Sequence, residues 1–596
     1  MKVFKYLKKY WYFALLAPLF MVGEVIFDLL QPKLMEKIVD QGVLSNLVAS
    51  DKIEIVVNTG LLMLGCLVVG GLCGILSGVC ASAAANSFGD DVRKDVFSKV
   101  VNLSYQQTDS FTTGSLVTRI TNDVTQVQNF VSMAIRMFVR TIVLFFGGIL
   151  MMYLTSPKFA IVLAVILPIQ VLLIFIFLRK MTPIFGVVQS KIDKVNTVVQ
   201  ENVNGVRVVK AYVRENYEKD RFNDANVDLS LTTLKVQKIF AWVSPLMMIF
   251  MNVIVVAIIY LGGIEISQNP SAVINGEAGV MTVGKVMSAL TYIAQVLMSV
   301  MQFAMIFQSI TRAKVCAKRI EEVLNSSPVI TSNVSRNSDY NIKEKDKGTI
   351  EFKNVDFSYP SLSGKPVISN LNLKINKGEV IAILGATGSG KSSIVNLIPR
   401  FYDVTNGEVL VDGINVKDYN LFDLREKISM ILQKTELFSG TIEENIKWGK
   451  EDASLEEVQE VAKIAQADDF INSFKEGYNS QVGERGNNLS GGQKQRISIA
   501  RGIIKKPEFL IFDDATSALD LATEAKLHKA LKENLDDVTT IIIAQRVASA
   551  KNANRIAVID NGCLVDFDTH ENLMKNCAIY QDIYNSQLKR GEEDEF

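Results

Sequence analysis

The sequence predicts an α-helical six-span transmembrane domain followed by an α/β phosphate-loop nucleotide-binding domain, on three observations. Composition changes near residue 320: long apolar runs dominate before it, and short β-type runs, Gly-rich turns and amphipathic helices follow. Six of the early runs are long enough to cross a bilayer, which takes about 20 residues. In the second part an apolar run, Val380–Leu384, leads directly into Gly385-Ala386-Thr387-Gly388-Ser389-Gly390-Lys391-Ser392-Ser393. The expected domains are 1–320 (membrane), 321–348 (linker), 349–590 (nucleotide-binding) and 591–596 (acidic tail).

The spans are placed near 11–32, 58–86, 132–154, 159–179, 239–263 and 284–308. A buried-core reading of these runs fails, because six such helices would leave a soluble protein without a polar exterior. Gly70, Gly74 and Gly78 have the small-xxx-small spacing that lets helices approach closely in lipid. The N-terminus (Lys2, Lys5, Lys8, Lys9) and the 180–238 stretch are basic, whereas Ile264 to Gly284 has no Lys or Arg. The positive-inside rule then puts both termini of a multi-pass protein in the cytoplasm, and the near-absence of long extracellular loops with the compact half-size points to a bacterial plasma membrane. The basic N-terminus resembles a signal peptide, but with five further spans downstream it is read as a retained anchor. The stretches 87–131 and 180–238 are polar and periodic, so the spans are expected to continue as helices beyond the membrane.

Basic and acidic residues balance at 63 each, so composition gives no sign of a nucleic-acid partner. The six cysteines show no CxxC pair and no metal-ligand spacing, and they read as reduced, structural thiols. Cys66, Cys73 and Cys80 fall seven apart within an apolar run, on one helix face.

Ionisable residues within spans are functional candidates. Glu24 and Asp28 lie four apart on the first span, hence on one face, and Arg136 and Arg140 do the same on the third. Two readings compete: a structural ion pair between spans or snorkelling at a span end, or a cavity lined by Glu24 or Asp28 that favours cationic cargo, with Glu24 the better placed because Asp28 lies nearer the outer end. The fifth and sixth spans are rich in Met and Phe, which suits either lipid or a cargo surface tolerant of many shapes. Met248 and Met298, with Asn252, Gln295 and Gln302 as polar contacts, complete the cargo-site candidates.

In the second part the glycines of the loop let backbone N–H groups converge on phosphate oxygens, and the helix that follows adds its positive N-terminus. In this pattern Lys391 reaches the β- and γ-phosphates and Ser392 the Mg²⁺.

Downstream, Leu489-Ser490-Gly491-Gly492-Gln493 and Phe509-Leu510-Ile511-Phe512-Asp513-Asp514 resemble the signature and hydrolytic segments of ABC ATPases. Nearly the whole chain resembles an exporter-type ABC half-transporter, multidrug-exporter-like. The resemblance implies that Tyr359 stacks on adenine, that Gln433 contacts Mg²⁺ and water, and that Asp513 holds Mg²⁺. It further implies that Val482-Gly483-Glu484-Arg485-Gly486 contacts the intracellular loops and that Ser517-Ala518-Leu519-Asp520 crosses a dimer interface. Coupling helices are expected at Thr112–Arg119 and Ala211–Glu215. ATP is sandwiched between one subunit's phosphate loop and the other's signature helix in this family, so a dimer is implied.

Two positions depart from the family pattern. Asp514 stands where the family carries the general-base Glu, and Gln545 where it carries a His that contacts the γ-phosphate. A carboxylate one methylene short misplaces the base, and an error of about 1 Å can cost roughly 100-fold in rate. With the binding motifs intact, the expectation is the degenerate-site half of a heterodimeric exporter. Its partner would carry the intact Glu and His, and the cargo would be small amphipathic or hydrophobic compounds moved by alternating access. The alternatives are an ATP-gated sensor with little transport and a slow homodimeric exporter of lipid or peptide. The tail Glu592-Glu593-Asp594-Glu595 reads as a solvated end.

Overall fold

In hydrocarbon every backbone N–H and C=O must be satisfied within its own segment, so apolar runs of this length fold as helices. The computed structural model describes residues 2–593 apart from 46, 269–279, 333, 339 and 361–365; much of the Lys- and Arg-free 264–284 loop, and Asp594 and Glu595 of the tail, therefore lie outside the described residues. The chain forms two units, Met1–Val101 with Thr113–Ser326, and Asn102–Thr112 with Ser327–Phe596.

The first unit is helical, and six of its helices are long and apolar enough to span a membrane. They are α1 (Trp11–Lys37), α2 (Ala49–Val101), α3 (Thr113–Thr155), α4 (Pro157–Asn204), α5 (Glu215–Gln268) and α6 (Val283–Asn325). At 1.5 Å per residue the 53 residues of α2 extend about 80 Å, far more than the roughly 30 Å of hydrocarbon, which accounts for the polar, periodic extensions. Small residues Gly70, Gly74, Ser77, Ala81, Ala84 and Ala85 form the buried side of α2, and Ser77 Oγ donates to Ala17 O of α1 at 2.8 Å. Tyr292 of α6, fully buried, donates its hydroxyl to Leu29 O of α1 at 2.9 Å. The opposite side of α2, with Leu61, Leu64, Leu67, Leu72 and Ile75, is exposed, as a lipid-facing surface is. All six cysteines are free thiols.

The second unit is built on β1 (Ile350–Phe357), β2 (Ile368–Ile375), β3 (Val380–Leu384), β4 (Asn406–Val411), β5 (Ile414–Asn415) and β6 (Ile428–Ile431). After them come β7 (Gly440–Thr441), β8 (Gln481–Val482), β9 (Phe509–Asp513), β10 (Thr539–Ile543), β11 (Arg555–Asp560) and β12 (Cys563–Asp568). Strands β2-β1-β4-β5 make an antiparallel sheet, β7 pairs with β8, and a six-stranded sheet runs β12-β11-β3-β10-β9-β6. Within the last, β11, β3, β10, β9 and β6 are parallel and β12 is antiparallel. Both faces of that sheet are covered, so β9 and β10 are buried at every position and read as unbroken apolar runs. Alternation divides the two cores: Leu384, Leu510, Phe512 and Ile542 enter one, and Ile383, Ile511, Ile541 and Ile543 the other.

The short helices differ from expectation. The helix packed in the second unit is Tyr105–Phe111, ahead of the expected 112–119, whose residues Thr113–Thr118 are helical too but open α3 in the first unit. Ser104 and Gln107 form its capping box, and Thr112 ends it at φ 56°, a left-handed turn that separates it from α3. Tyr105 stacks on Phe401 with centroids 4.4 Å apart, and Tyr402 donates to Asp109 Oδ2 at 2.8 Å. The second short helix is Val206–Ala211, whereas the expected 211–215 is a turn holding Val213 at φ 51°.

Candidate functional site

Four adjacent parallel strands, β3, β10, β9 and β6, end at one edge of the sheet, the position where open α/β sheets bind ligands. β3 runs into the Gly385–Gly390 loop, β9 delivers Asp513 and Asp514, β10 delivers Gln545 and β6 delivers Gln433.

Two glycines in the loop adopt conformations that side chains disfavour, Gly388 at φ 84° and Gly390 at φ 97°. A Cβ on Gly385 would lie 2.1 Å from Ile559 O, so the loop passes against β11 with no room for a side chain. Ala386, Thr387 and Gly388 are exposed at its tip. Lys391 begins α7 (Lys391–Leu397), and its Nζ donates to Gly385 O at 2.8 Å and Ala386 O at 2.7 Å. Burial pushes the Lys391 pKa down, and Asp514 and Asp513 hold it up. Ser389 Oγ is buried with no hydrogen-bond partner among the described residues. A folded-over cation and an orphaned hydroxyl around a Gly-lined loop fit a phosphate group. Ser392 Oγ donates to Asp513 Oδ1 at 2.7 Å, pairing two oxygen donors of the kind Mg²⁺ takes. Ser393 Oγ lies 3.0 Å from the hydroxyl of Tyr359, whose ring meets Phe357 and Tyr402 edge-on.

Asp514 is held unlike a free base. Gln433 Nε2 and Gln545 Nε2 both donate to its Oδ2, at 2.8 and 2.7 Å. Its backbone is left-handed, φ 51°. Burial raises the Asp514 pKa, the amide of Gln433 opposes this, Asp513 adds to it, and Lys391 with Arg546 oppose it further. Asp513 is likewise raised by burial, against the bond from Ser392 and the charge of Lys391.

Ser490 caps α8 (Gly491–Ile503) in a capping box: its Oγ accepts from Gln493 N at 3.3 Å, and Gln493 Oε1 accepts from Ser490 N at 2.9 Å. This use of Ser490 as acceptor leaves its hydroxyl proton free for an anion. A Cβ on Gly492 would stand 3.1 Å from Ala518 O, and Ala518 N donates to Gln495 Oε1 at 3.1 Å, which packs the 517–520 loop on the signature helix. Asp520 then caps α9 (Leu521–Asn534) by accepting from Thr523 N at 3.0 Å.

Two positioning residues escape a reading along the chain. Buried Glu524 accepts from both Thr516 and Ser549 at 2.7 Å, joining the loop after Asp514 to the helix after Gln545. Gln587 of α10 (Ala578–Glu593) brackets the Gln545 turn, donating to Gln545 O and accepting from Val547 N, both at 2.8 Å. Gln587 lies 40 or more residues from these partners, so no local spacing announces it.

Among the membrane candidates, Glu24 pairs with Arg140, which also bonds Asp28 at 3.0 Å; this is the ion-pair reading, with one guanidinium shared between two carboxylates. Arg136 and Arg140 both reach toward α1 and α2, Arg136 over Gly78 and Arg140 to Glu24, which lies over Gly74. Residues Ala134–Phe138 form a π-helical turn, and Arg136 within it is exposed. Gln302 accepts from Thr141 at 3.0 Å, Gln295 buries an Oε1 without a partner among the described residues, and Met248, Asn252 and Met298 are exposed.

Comparison with known proteins agrees with this geometry. Residues 14–300 match the ABC transporter transmembrane region, and 368–517 match the ABC transporter family. An uncharacterized ABC transporter ATP-binding protein of Bacillus subtilis, YfiB, is 37% identical over 99% of both chains. An ATP-dependent lipid A-core flippase of Syntrophus aciditrophicus is 33% identical over 88% of this chain and 85% of its own. The structure of a bacterial Atm1-family ABC exporter with ATP bound superposes with a TM-score of 0.76 at 23% identity, covering 96% of this chain and 98% of that one. With a six-helix membrane unit and a phosphate-loop ATPase unit on one polypeptide, the chain belongs to the ABC transporter family, as a half-transporter with the fold of an exporter.

Proposed function

We propose that this half-transporter is the slow-site subunit of a heterodimeric exporter that moves small amphipathic or hydrophobic compounds by alternating access. The observation that carries the reading is Asp514: a short carboxylate whose Oδ2 already accepts two amide N–H bonds. Two amides already fill that oxygen, which leaves only Oδ1 to hold a water, and Gln545, unlike His, cannot carry charge to the γ-phosphate. The binding apparatus is complete by contrast. The loop 385–390 and Lys391 take the phosphates of ATP, Tyr359 the adenine, and Ser392, Asp513 and Gln433 the Mg²⁺. Ser490, Gly491, Gly492 and Gln493 complete the partner's competent site, whose subunit carries the intact Glu and His. Both termini lie on the cytoplasmic side of a bacterial plasma membrane.

The lipid A-core flippases among the relatives favour a second reading of cargo, a lipid-like amphiphile.

The test is ATP turnover by the chain alone and with its partner, beside an Asp514→Ala variant. The reading expects turnover only in the pair, largely surviving Asp514→Ala. Turnover by the chain alone that Asp514→Ala abolishes would make Asp514 a working base and the heterodimer reading wrong.

A further inference from the structure

Along α2 a groove of ≈ 690 Å³ opens between α1, α2 and α3. Its floor is backbone, because Gly71, Gly74 and Gly78 supply no side chains, and its two charged walls come from different helices. Glu24 of α1 projects over Gly74, where a Cβ would lie 2.7 Å from its Oε2. Oε1 of that carboxylate is taken by Arg140, whereas Oε2 is buried with no partner among the described residues. Arg136 of α3 reaches over Gly78, where a Cβ would lie 3.6 Å from its Nη1, and no hydrogen bond or ion pair holds it among the described residues. Arg136 lies in the π-helical turn Ala134–Phe138, and Arg140 beyond it pairs with Glu24 and Asp28. One acceptor and one planar cation thus stand a single turn of α2 apart, roughly 6 Å along the axis.

Although Arg140 pairs with the carboxylate, its buried Oε2 still lacks a hydrogen bond, and buried polar atoms are ordinarily bonded. A simple cation would satisfy Glu24 and be repelled by Arg136, and a simple anion would do the reverse. We infer that the Glu24–Arg136 groove binds the headgroup of a zwitterionic amphiphile, its ammonium on Glu24 Oε2 and its phosphate or carboxylate on Arg136, with the apolar tail leaving past Ile75 and Val79. The inference rests on the amphiphile reading of the cargo and replaces the cationic preference with recognition of paired charge. Planar guanidinium suits a bidentate oxyanion, so Arg136 sets the anionic half of the specificity.

The experiment is equilibrium binding to the full transporter in nanodiscs without nucleotide, which keeps it independent of the ATP-site reading. The probes share one twelve-carbon tail and carry phosphoethanolamine, trimethylammonium or phosphate. The zwitterion is expected to bind roughly tenfold more tightly than either single charge, the worth of one charge-assisted bond. Arg136→Gln is expected to remove that preference while leaving trimethylammonium binding equal or stronger. Gly71→Leu has open space for its side chain and is expected to abolish binding of all three, whereas Gly60→Leu, equally open on the same helix, changes nothing. Stronger binding of the trimethylammonium probe than of the zwitterion, or an unchanged ranking in Arg136→Gln, overturns the inference. Loss of subunit assembly in Gly71→Leu also overturns it, since the groove would then be filled by the partner. Intact zwitterion binding with turnover that Asp514→Ala abolishes would instead fault the ATP-site reading alone.

Discussion

Restoring the family's two residues at the ATP site should raise its turnover, but only when both are restored. Lengthening Asp514 to Glu advances the carboxylate by one C–C bond, about 1.5 Å. Its Oδ2 already sits 2.8 Å from Gln433 Nε2 and 2.7 Å from Gln545 Nε2, the lower end of ordinary N–H···O distances. Asp514→Glu alone must therefore push both amides aside, and it is expected to change turnover by less than about threefold. Gln545→His alone removes one amide but leaves the base short. Together the substitutions clear the space and place the base, recovering up to the roughly 100-fold that a 1 Å misplacement costs, about 2.7 kcal/mol at 1.36 kcal/mol per tenfold. The assay is phosphate release at saturating Mg-ATP in the proposed heterodimer, with the catalytic Glu of the proposed partner replaced by Gln so that only this site reports. A full gain from Asp514→Glu alone, or a double variant no faster than the parent, would refute the argument that the two amides block Asp514.

Three further outcomes are expected. Lys391→Ala should weaken ATP binding more than about tenfold in a fluorescent-nucleotide titration, because its Nζ is the buried cation of the loop. Tyr105→Ala removes the stack on Phe401, worth about 0.5–1.5 kcal/mol, and should diminish cargo stimulation of ATP turnover while unstimulated turnover persists. At the base of β3, burial alone would raise the Glu379 pKa, but the bonds from Arg555 and Asn376 outweigh it and the net shift is downward. A lowered carboxylate stabilises the fold above its unfolded range near 4.5 and loses that contribution as pH falls through the folded value. Thermal midpoints of the parent should therefore fall faster on acidification than those of Glu379→Gln.

Chemistry carried by neighbours in the chain was legible from the residues alone. The 385–392 loop needs glycines, a lysine and a hydroxyl in sequence, and its geometry follows from left-handed Gly388 and Gly390 within that same stretch. The six spans were equally legible, because length and apolarity are properties of a segment. The π-helical turn at Ala134–Phe138 on α3 was not legible, because a 3.6-residue period assumes a regular helix. The short helix after α2 was misplaced for a similar reason: a single left-handed residue, Thr112, moves the boundary, and Thr rarely announces that conformation.

The sequence by itself determined that this chain spans a membrane six times, binds a phosphate group and carries Asp514 and Gln545 at two altered positions. Only the tertiary structure decided what those residues meet. Asp514, Gln433 and Gln545 converge because β9, β6 and β10 end side by side in one parallel sheet, and Glu24 finds Arg140 because α1 and α3 pack together. Hydrogen bonds act over about 3 Å, and residues 81 or 116 positions apart come within that range only when packing folds the chain back on itself.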